Sequence, residues 1–325
     1  MQRRHLAWLL ATACIAGTAP AAGAAEYPAR PIRMVVPSGP GTITDQTARV
    51  VAEGLTQTLG QSVVIENRPG ANGIVASETV ARAEPDGYTL LFTYAATHAI
   101  NPWLIKSLSY DPVQDFTPIA MPSGGGGNVL LVNAEVPIRD LQGFIDYVKQ
   151  SQEPPSYCSW GVGSGGHLTM AFLEAKADLE LRHIPYKTAT QCANDIAAGH
   201  VPFGFTDTVS PQGHIKAGKA RPIAVSGPVR IDAVPNVPTM KEQGIPFEQA
   251  SWLGIFGPKG LDPAIVARLN DSVNAIITSP EQRERFIAMN LRPGERTTPE
   301  EFADRLKTDI AAWGKIVDTA GLEPE

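Results

Sequence analysis

Four short segments hold the polar residues able to seat a ligand: PSGPGTITD (37–45), TYAATHAINP (93–102), SWGVGSGGHL (159–168) and TDTVSP (206–211). Each follows an apolar, strand-like run. All are short of Lys and Arg and rich in Gly, Ser, Thr and Asp, a composition suited to recognition by backbone amides and hydroxyls. In the first, the run Ser38, Gly39, Pro40, Gly41 bars regular structure, while Thr42, Thr44 and Asp45 are of the types that cap helix N-termini. A helix entered this way points unpaired N–H groups and the positive end of its macrodipole at one spot. It binds an anion without any charged side chain.

The second segment offers Tyr94, Ala95, Thr97 and His98, the third Ser159, Trp160, Gly161, Gly163, Ser164 and His167, and the fourth Asp207. His98 and His167 read either as capping or packing residues or as ligand groups. Asp207, after VPFGF, either caps the following turn or binds a polar group of the ligand. Gly161, Gly163 and Gly166 match G-x-G-x-x-G, with Glu180 near the place of a ribose-binding acid, but a lone match is weak. The same geometry serves as an anion loop, and no cofactor is expected. A nucleophile elbow fails, because Val162 stands where glycine is required two positions before Ser164. The histidines show no H-E-x-x-H or other ligand spacing, so no metal is expected.

The chain of 325 residues opens with two arginines, an apolar run from Leu6 to Gly17 and small residues up to Ala25. That is the pattern of a secretory signal over residues 1–25, cleaved after Ala24 or Ala25. The apolar run falls short of the roughly 20 residues a spanning helix needs. The mature protein is therefore expected to be exported from the cytoplasm, beyond which nicotinamide cofactors are scarce. Its length of about 300 residues suits two medium lobes better than a single core. A formal net charge of −6 and the lack of any Lys/Arg run argue against nucleic acid as a partner. Beyond the leader, Cys158 and Cys192 remain, and export would permit one bridge between them.

The elements that must position these loops alternate along the chain. IRMVV and VVIENR flank a helical segment, GIVASETVARAEPDG is helical, and YTLLFTY is a buried-type strand. This β-α-β-α-β order predicts a parallel sheet with helices on both faces. The pattern restarts after MPSGGGG with NVLLVN and runs through SYCSW, LRHIPY and VPFGFTD as strands with helices between them, which predicts a second lobe of the same class. SWLGIFGP and three amphipathic helices then return to cover the first. The expected fold is α/β, with two Rossmann-like lobes joined by a two-crossing hinge: lobe one at 26–126 plus 249–325, lobe two at 127–248. Two lobes and a hinge make a cleft. In open α/β sheets, ligands sit at the carboxyl ends of the strands, where the four segments lie.

The stretches YPARPIRMVVPSGPGTITD, VVIENRPGANGIVASETVARAEPDGYTLLF, SYDPVQDFTPIA, HIPYK, GHIKAGKARPIAVSGPVR, VPNVPTMKEQG and SWLGIFGPKG resemble the Bug or TctC-type substrate-binding proteins of tripartite tricarboxylate transporters. The resemblance runs from Tyr27 to the C-terminal helices. It implies a type II periplasmic binding protein, not an enzyme, that works as a monomer and closes on a small organic carboxylate. It places the ligand between the first-strand loop, Ser38 to Thr42 with Asp45, and the matching loop, Ser159 to His167. It also implies delivery to the membrane subunits of a tripartite transporter. Presentation of the ligand to a sensor kinase is the alternative, and an exported hydrolase a remote one. This chain reads SGPGTITD where the family's first loop is usually richer in glycine, and carries Cys158 and Trp160 where the second usually has small residues. Trp160 either packs beneath its loop or gives the cleft a flat wall suited to an aromatic acid such as terephthalate, benzoate or nicotinate rather than citrate.

Overall fold

The computed structural model describes residues 27–289 and 291–324, so the expected leader lies outside the described residues. In chain order the elements are β1 (Ile32–Val36), α1 (Ile43–Leu59), β2 (Val63–Asn67), α2 (Ile74–Ala81), β3 (Thr89–Tyr94), α3 (Asn101–Leu104), β4 (Phe116–Gly126) and β5 (Val129–Asn133). Next come α4 (Leu141–Gln150), β6 (Ser156–Ser159), α5 (Gly165–Ala177), β7 (Arg182–Pro185), α6 (Ala189–Ala198), β8 (Phe203–Thr206), α7 (Gln212–Lys216) and β9 (Ala220–Val225). The chain finishes with β10 (Ser251–Pro258), α8 (Pro263–Thr278), α9 (Pro280–Ala288) and α10 (Pro299–Thr319). Two five-stranded sheets result, ordered β2-β1-β3-β10-β4 and β7-β6-β8-β5-β9.

Neither sheet is purely parallel, which corrects the expectation from the β-α-β pattern. Strand β10 runs antiparallel to β3 and β4, and β5 antiparallel to β8 and β9. These are the strands by which the chain enters one sheet from the other. They start at the end where the remaining strands finish, as the pairing of Leu253 with Tyr94 and of Val129 with Thr206 shows. Strands β4 and β9 are not legible as strands in the sequence, because prolines interrupt them. Both are edge strands, where a missing N–H is tolerated.

The crossings between sheets lie side by side. Asn128 donates its N–H to Ser226 Oγ (2.7 Å), Ser226 returns its own N–H to the Asn128 carbonyl (2.8 Å), and Ser251 pairs with Gly126. A Cβ on Gly127 would fall 1.6 Å from the Ser226 carbonyl oxygen, so this approach requires glycine.

Residues of β1, β3 and β10 divide between the faces of the first sheet. Met34, Val36, Phe92 and Ile255 pack with α1, α8 and α9, whereas Val35, Leu91 and Phe256 pack with α2 and α10. The second cluster continues into the other lobe, through Trp313, Phe247 and Phe172 to Leu130, Phe203 and Phe205. On the far face of the second sheet, α6 packs its Cys192 and Ile196 on Leu131 and Cys158. Cys158 and Cys192 form a disulfide, tying α6 to β6 directly behind the second loop.

Strands β6 and β8 carry the ends of the third and fourth polar segments, and they approach each other over Gly204. A Cβ there would sit 2.3 Å from the Cys158 carbonyl oxygen, a backbone atom that cannot swing aside. Gly204→Ala should therefore destabilise the protein by roughly 1–3 kcal/mol or more. Urea unfolding with an unchanged midpoint would disprove this packing.

Candidate ligand-binding cleft

The first loop is held by one buried carboxylate. Thr42 caps α1, its Oγ1 accepting the Asp45 N–H (3.3 Å), and the same hydroxyl lies 2.8 Å from Ser38 Oγ and 2.9 Å from the Gly39 carbonyl. Asp45 is 1 % exposed and accepts hydrogen bonds from Gly41 N–H (2.8 Å), Arg49 Nε and Nη2 (3.0 Å each) and Asn67 Nδ2 (2.8 Å). The same Asn67 group also donates to the Ser38 carbonyl. Burial alone would push the Asp45 carboxyl up, but the bonds from Arg49, Asn67 and Gly41 outweigh it and hold the group below the usual range. Its oxygens are thus occupied within the lobe, and Asp45 shapes the loop instead of reaching into the cleft. Among the described residues, no hydrogen bond uses the N–H of Ile43 or Thr44, so the helix start remains open toward the loop.

The second loop is held by hydroxyls and imidazoles. Ser164 caps α5 through the His167 N–H, and Ser159 Oγ lies 2.8 Å from His183 Nε2 and 3.1 Å from the Gly161 carbonyl. The rings of Tyr157, His183 and His167 form a column, with centroids 4.9 Å and 4.2 Å apart. Gly163 donates its N–H to His167 Nδ1 (3.1 Å), which requires that nitrogen to be unprotonated. Burial pushes His183 down to about 4, helped by repulsion from His167. Trp160 is half-buried, with its six-membered ring against Gly165 and Gly166; a Cβ on Gly166 would lie 2.5 Å from Cζ3. The tryptophan thus packs on the first turn of α5.

The two loops meet around a turn that the motif reading did not select. Residues Gly70, Ala71, Asn72 and Gly73 all have positive φ, at 137°, 43°, 50° and 86°. For a residue bearing a Cβ such a conformation costs on the order of 1 kcal/mol, and it clusters at functional sites. A Cβ on Gly73 would meet Thr97 Cγ2 (2.4 Å), Pro37 Cβ (3.2 Å) and Tyr94 Oη (3.3 Å), so the turn is wedged between the first loop and the end of β3. A Cβ on Gly163 would meet Leu104 Cδ1 at 3.0 Å and Asn72 Nδ2 at 3.7 Å. The second lobe's loop therefore rests on the first lobe. The Pro-Gly and Asn-Gly pairs of RPGANG were the available signal.

The other selected residues separate into cleft and core. Tyr94 is half-buried beside Gly73, its hydroxyl pushed up by burial. Ala95 and Thr97 are buried, and Thr97 Oγ1 lies within 2.9 Å of Thr93 Oγ1, the Tyr94 carbonyl and His98 Nδ1. His98 is fully buried in the core instead of facing a ligand: residues 96–100 form a π-helical turn, and its ring stacks on Phe256 (4.2 Å) with Phe116 edge-on (4.6 Å). Burial pushes it down to about 3. Asp207 caps its own turn, with Oδ1 accepting the N–H groups of Val209 and Ser210 and Oδ2 the Ser210 hydroxyl.

A family model described as the tripartite tricarboxylate transporter family receptor matches residues 47–322. The chain belongs to that family. It is 33% identical to BugT of Bordetella pertussis over 310 residues, covering 95% of this chain and 94% of BugT. A structure from R. palustris with adipate superposes with a TM-score of 0.84 at 32% identity, covering 92% of this chain and all (100%) of that one. The periplasmic binding protein BugD gives 0.81 at 32% identity, covering 92% of this chain and 100% of its own. MatC from Rhodopseudomonas palustris, with bound malate, gives 0.80 at 29% identity, covering 90% and 100%. Family and neighbours are solute-binding receptors of the two-lobed type, not enzymes. No helix among the described residues is long and apolar enough to cross a membrane.

Two outcomes test the supports beneath the loops. Asp45→Ala removes the acceptor for Gly41, Arg49 and Asn67 and should cost about 1–3 kcal/mol of stability, read by chemical denaturation; a loss below 0.5 kcal/mol, on the order of an ordinary surface substitution, would contradict the clamp. The second outcome concerns pH. His98 and His183 sit below their unfolded value of 6.5, at about 3 and about 4, so the stability they contribute is present above pH 6.5 and is lost as pH falls toward those values. Glu174, pushed up to about 7 by burial against the pull of the Leu181 N–H, has the opposite sign: its contribution is present at low pH and is lost as pH rises through 7. Glu174→Gln should therefore steepen the acid loss of stability between pH 7 and 5 by up to about 1.4 kcal/mol per pH unit. Parallel stability profiles for the two proteins would refute that assignment.

Proposed function

We propose that this protein captures a small organic carboxylate between two lobes, 26–126 plus 249–325 and 127–248, in the periplasm, and delivers it to the membrane subunits of a tripartite transporter. The observation that carries the reading is the pair of helix starts. Those of α1 and α5 follow loops without Lys or Arg, and Gly163 and the 70–73 turn bring the loops together. The open N–H groups at the start of α1 and the two macrodipoles suit an anion. Because Asp45 spends its charge on Arg49, it does not repel one. Related structures carrying adipate and malate support a carboxylate as the class.

A planar aromatic acid such as terephthalate is the finer reading, and Trp160 motivates it. The ring is half-buried at the second loop, and a flat ligand meeting it gains roughly 0.5–1.5 kcal/mol beyond area burial, up to about tenfold in affinity. Calorimetry should show terephthalate binding more tightly than citrate or adipate, with Trp160→Ala erasing most of the preference and Trp160→Phe keeping part of it. Tighter binding of an aliphatic acid, or indifference to both changes, would leave the ring as packing for α5 alone.

A further inference from the structure

We propose that Asn72 is the first-lobe residue onto which the second loop closes, and that its carboxamide donates a hydrogen bond to the bound carboxylate. The inference rests on reading the cleft as a carboxylate seat. Asn72 is the part of lobe one that Gly163 approaches, together with Leu104. Its side chain is held from one side only. Nδ2 donates to Asn101 Oδ1 (2.7 Å), while Asn101 Nδ2 returns a bond to the Asn72 carbonyl (3.2 Å) and another to Tyr110 Oη (3.3 Å). Asn101 is fully buried, so this exchange orients the amide. A carboxamide has two N–H groups and a carbonyl; among the described residues the second N–H and Oδ1 of Asn72 enter no hydrogen bond.

The backbone supplies an independent argument. At φ 50° and ψ 36° residue 72 sits where glycine is unstrained and asparagine is tolerated at some cost. A turn needed only for its shape is served better by glycine. A carboxamide held there, beside Pro37 and Tyr94 through Gly73 and next to Gly163, places a neutral donor where the two loops meet. Neutrality matters, because an acid of the same shape would face the ligand's charge.

The test is calorimetry of the mature chain with adipate, malate, terephthalate and citrate, for wild type, Asn72→Gly and Asn72→Asp, together with melting temperatures. Asn72→Gly should bind about tenfold more weakly; it also strips the buried Asn101 Oδ1 of its donor, so its melting temperature is read beside the affinity and the isosteric variant carries the discrimination. Asn72→Asp, isosteric and also tolerant of positive φ, should lose about a hundredfold or more through reversed polarity. Affinities within twofold of wild type in both variants would overturn the role of Asn72 while leaving the carboxylate seat intact. So would an Asp variant that binds as wild type does. Wild type binding none of the four acids would overturn the carboxylate reading itself, and this inference with it.

Discussion

A carboxylate buried at a helix start is tolerable only when its lone pairs are all engaged, and much of the cleft is built around that requirement. Asp45 meets it with Arg49, Asn67 and the Gly41 N–H, and in doing so it sets the path of the loop from Ser38 to Thr42. Asn67 ends β2 and Arg49 lies on the first helix, so the loop is referenced to two neighbouring elements of its own sheet. The result is a rigid frame that leaves the first N–H groups of the helix uncommitted. Preorganised donors of this kind do not have to be reoriented when a ligand arrives.

The second lobe holds its loop without a carboxylate. Ser159, Ser164 and the stacked rings of His167 and His183 hold its loop, and Gly163 spends its own N–H on His167. Charged groups beneath an anion loop would either repel the ligand or bind it indiscriminately. The His183 imidazole, kept neutral by burial, avoids both. The disulfide between Cys158 and Cys192 sits on the opposite side of β6, so the strand that delivers Ser159 is braced on both of its faces.

The two lobes are joined by side-chain packing as well as by the chain crossings. A single apolar cluster runs from the first sheet through α10 to the second, with Trp313, Phe247 and Phe172 in edge-to-face contact. The crossings at Gly127 and Ser226 are packed backbone to backbone. Leu104, which Gly163 approaches, belongs to the same cluster, so the loop contact and the apolar contact between the lobes are continuous.

Local chemistry made much of this protein legible in the sequence. Thr42 and Ser164 announce helix starts, apolar runs announce β1, β3, β5 and β8, and the absence of Lys and Arg from the loops announces recognition by amides. Such signals act over a few residues, so they survive without knowledge of the fold. Long-range placement decided the rest. His98 and Asp207 look like ligand groups in one dimension, yet Phe256 in β10 covers the first and a local turn occupies the second. Edge position, not propensity, permits the prolines in β4 and β9. The antiparallel strands follow from where the chain re-enters each sheet. Asn72 acquires meaning only because Gly163, ninety-one residues on, comes to rest against it, and contacts between segments so far apart in sequence leave no periodic or local trace.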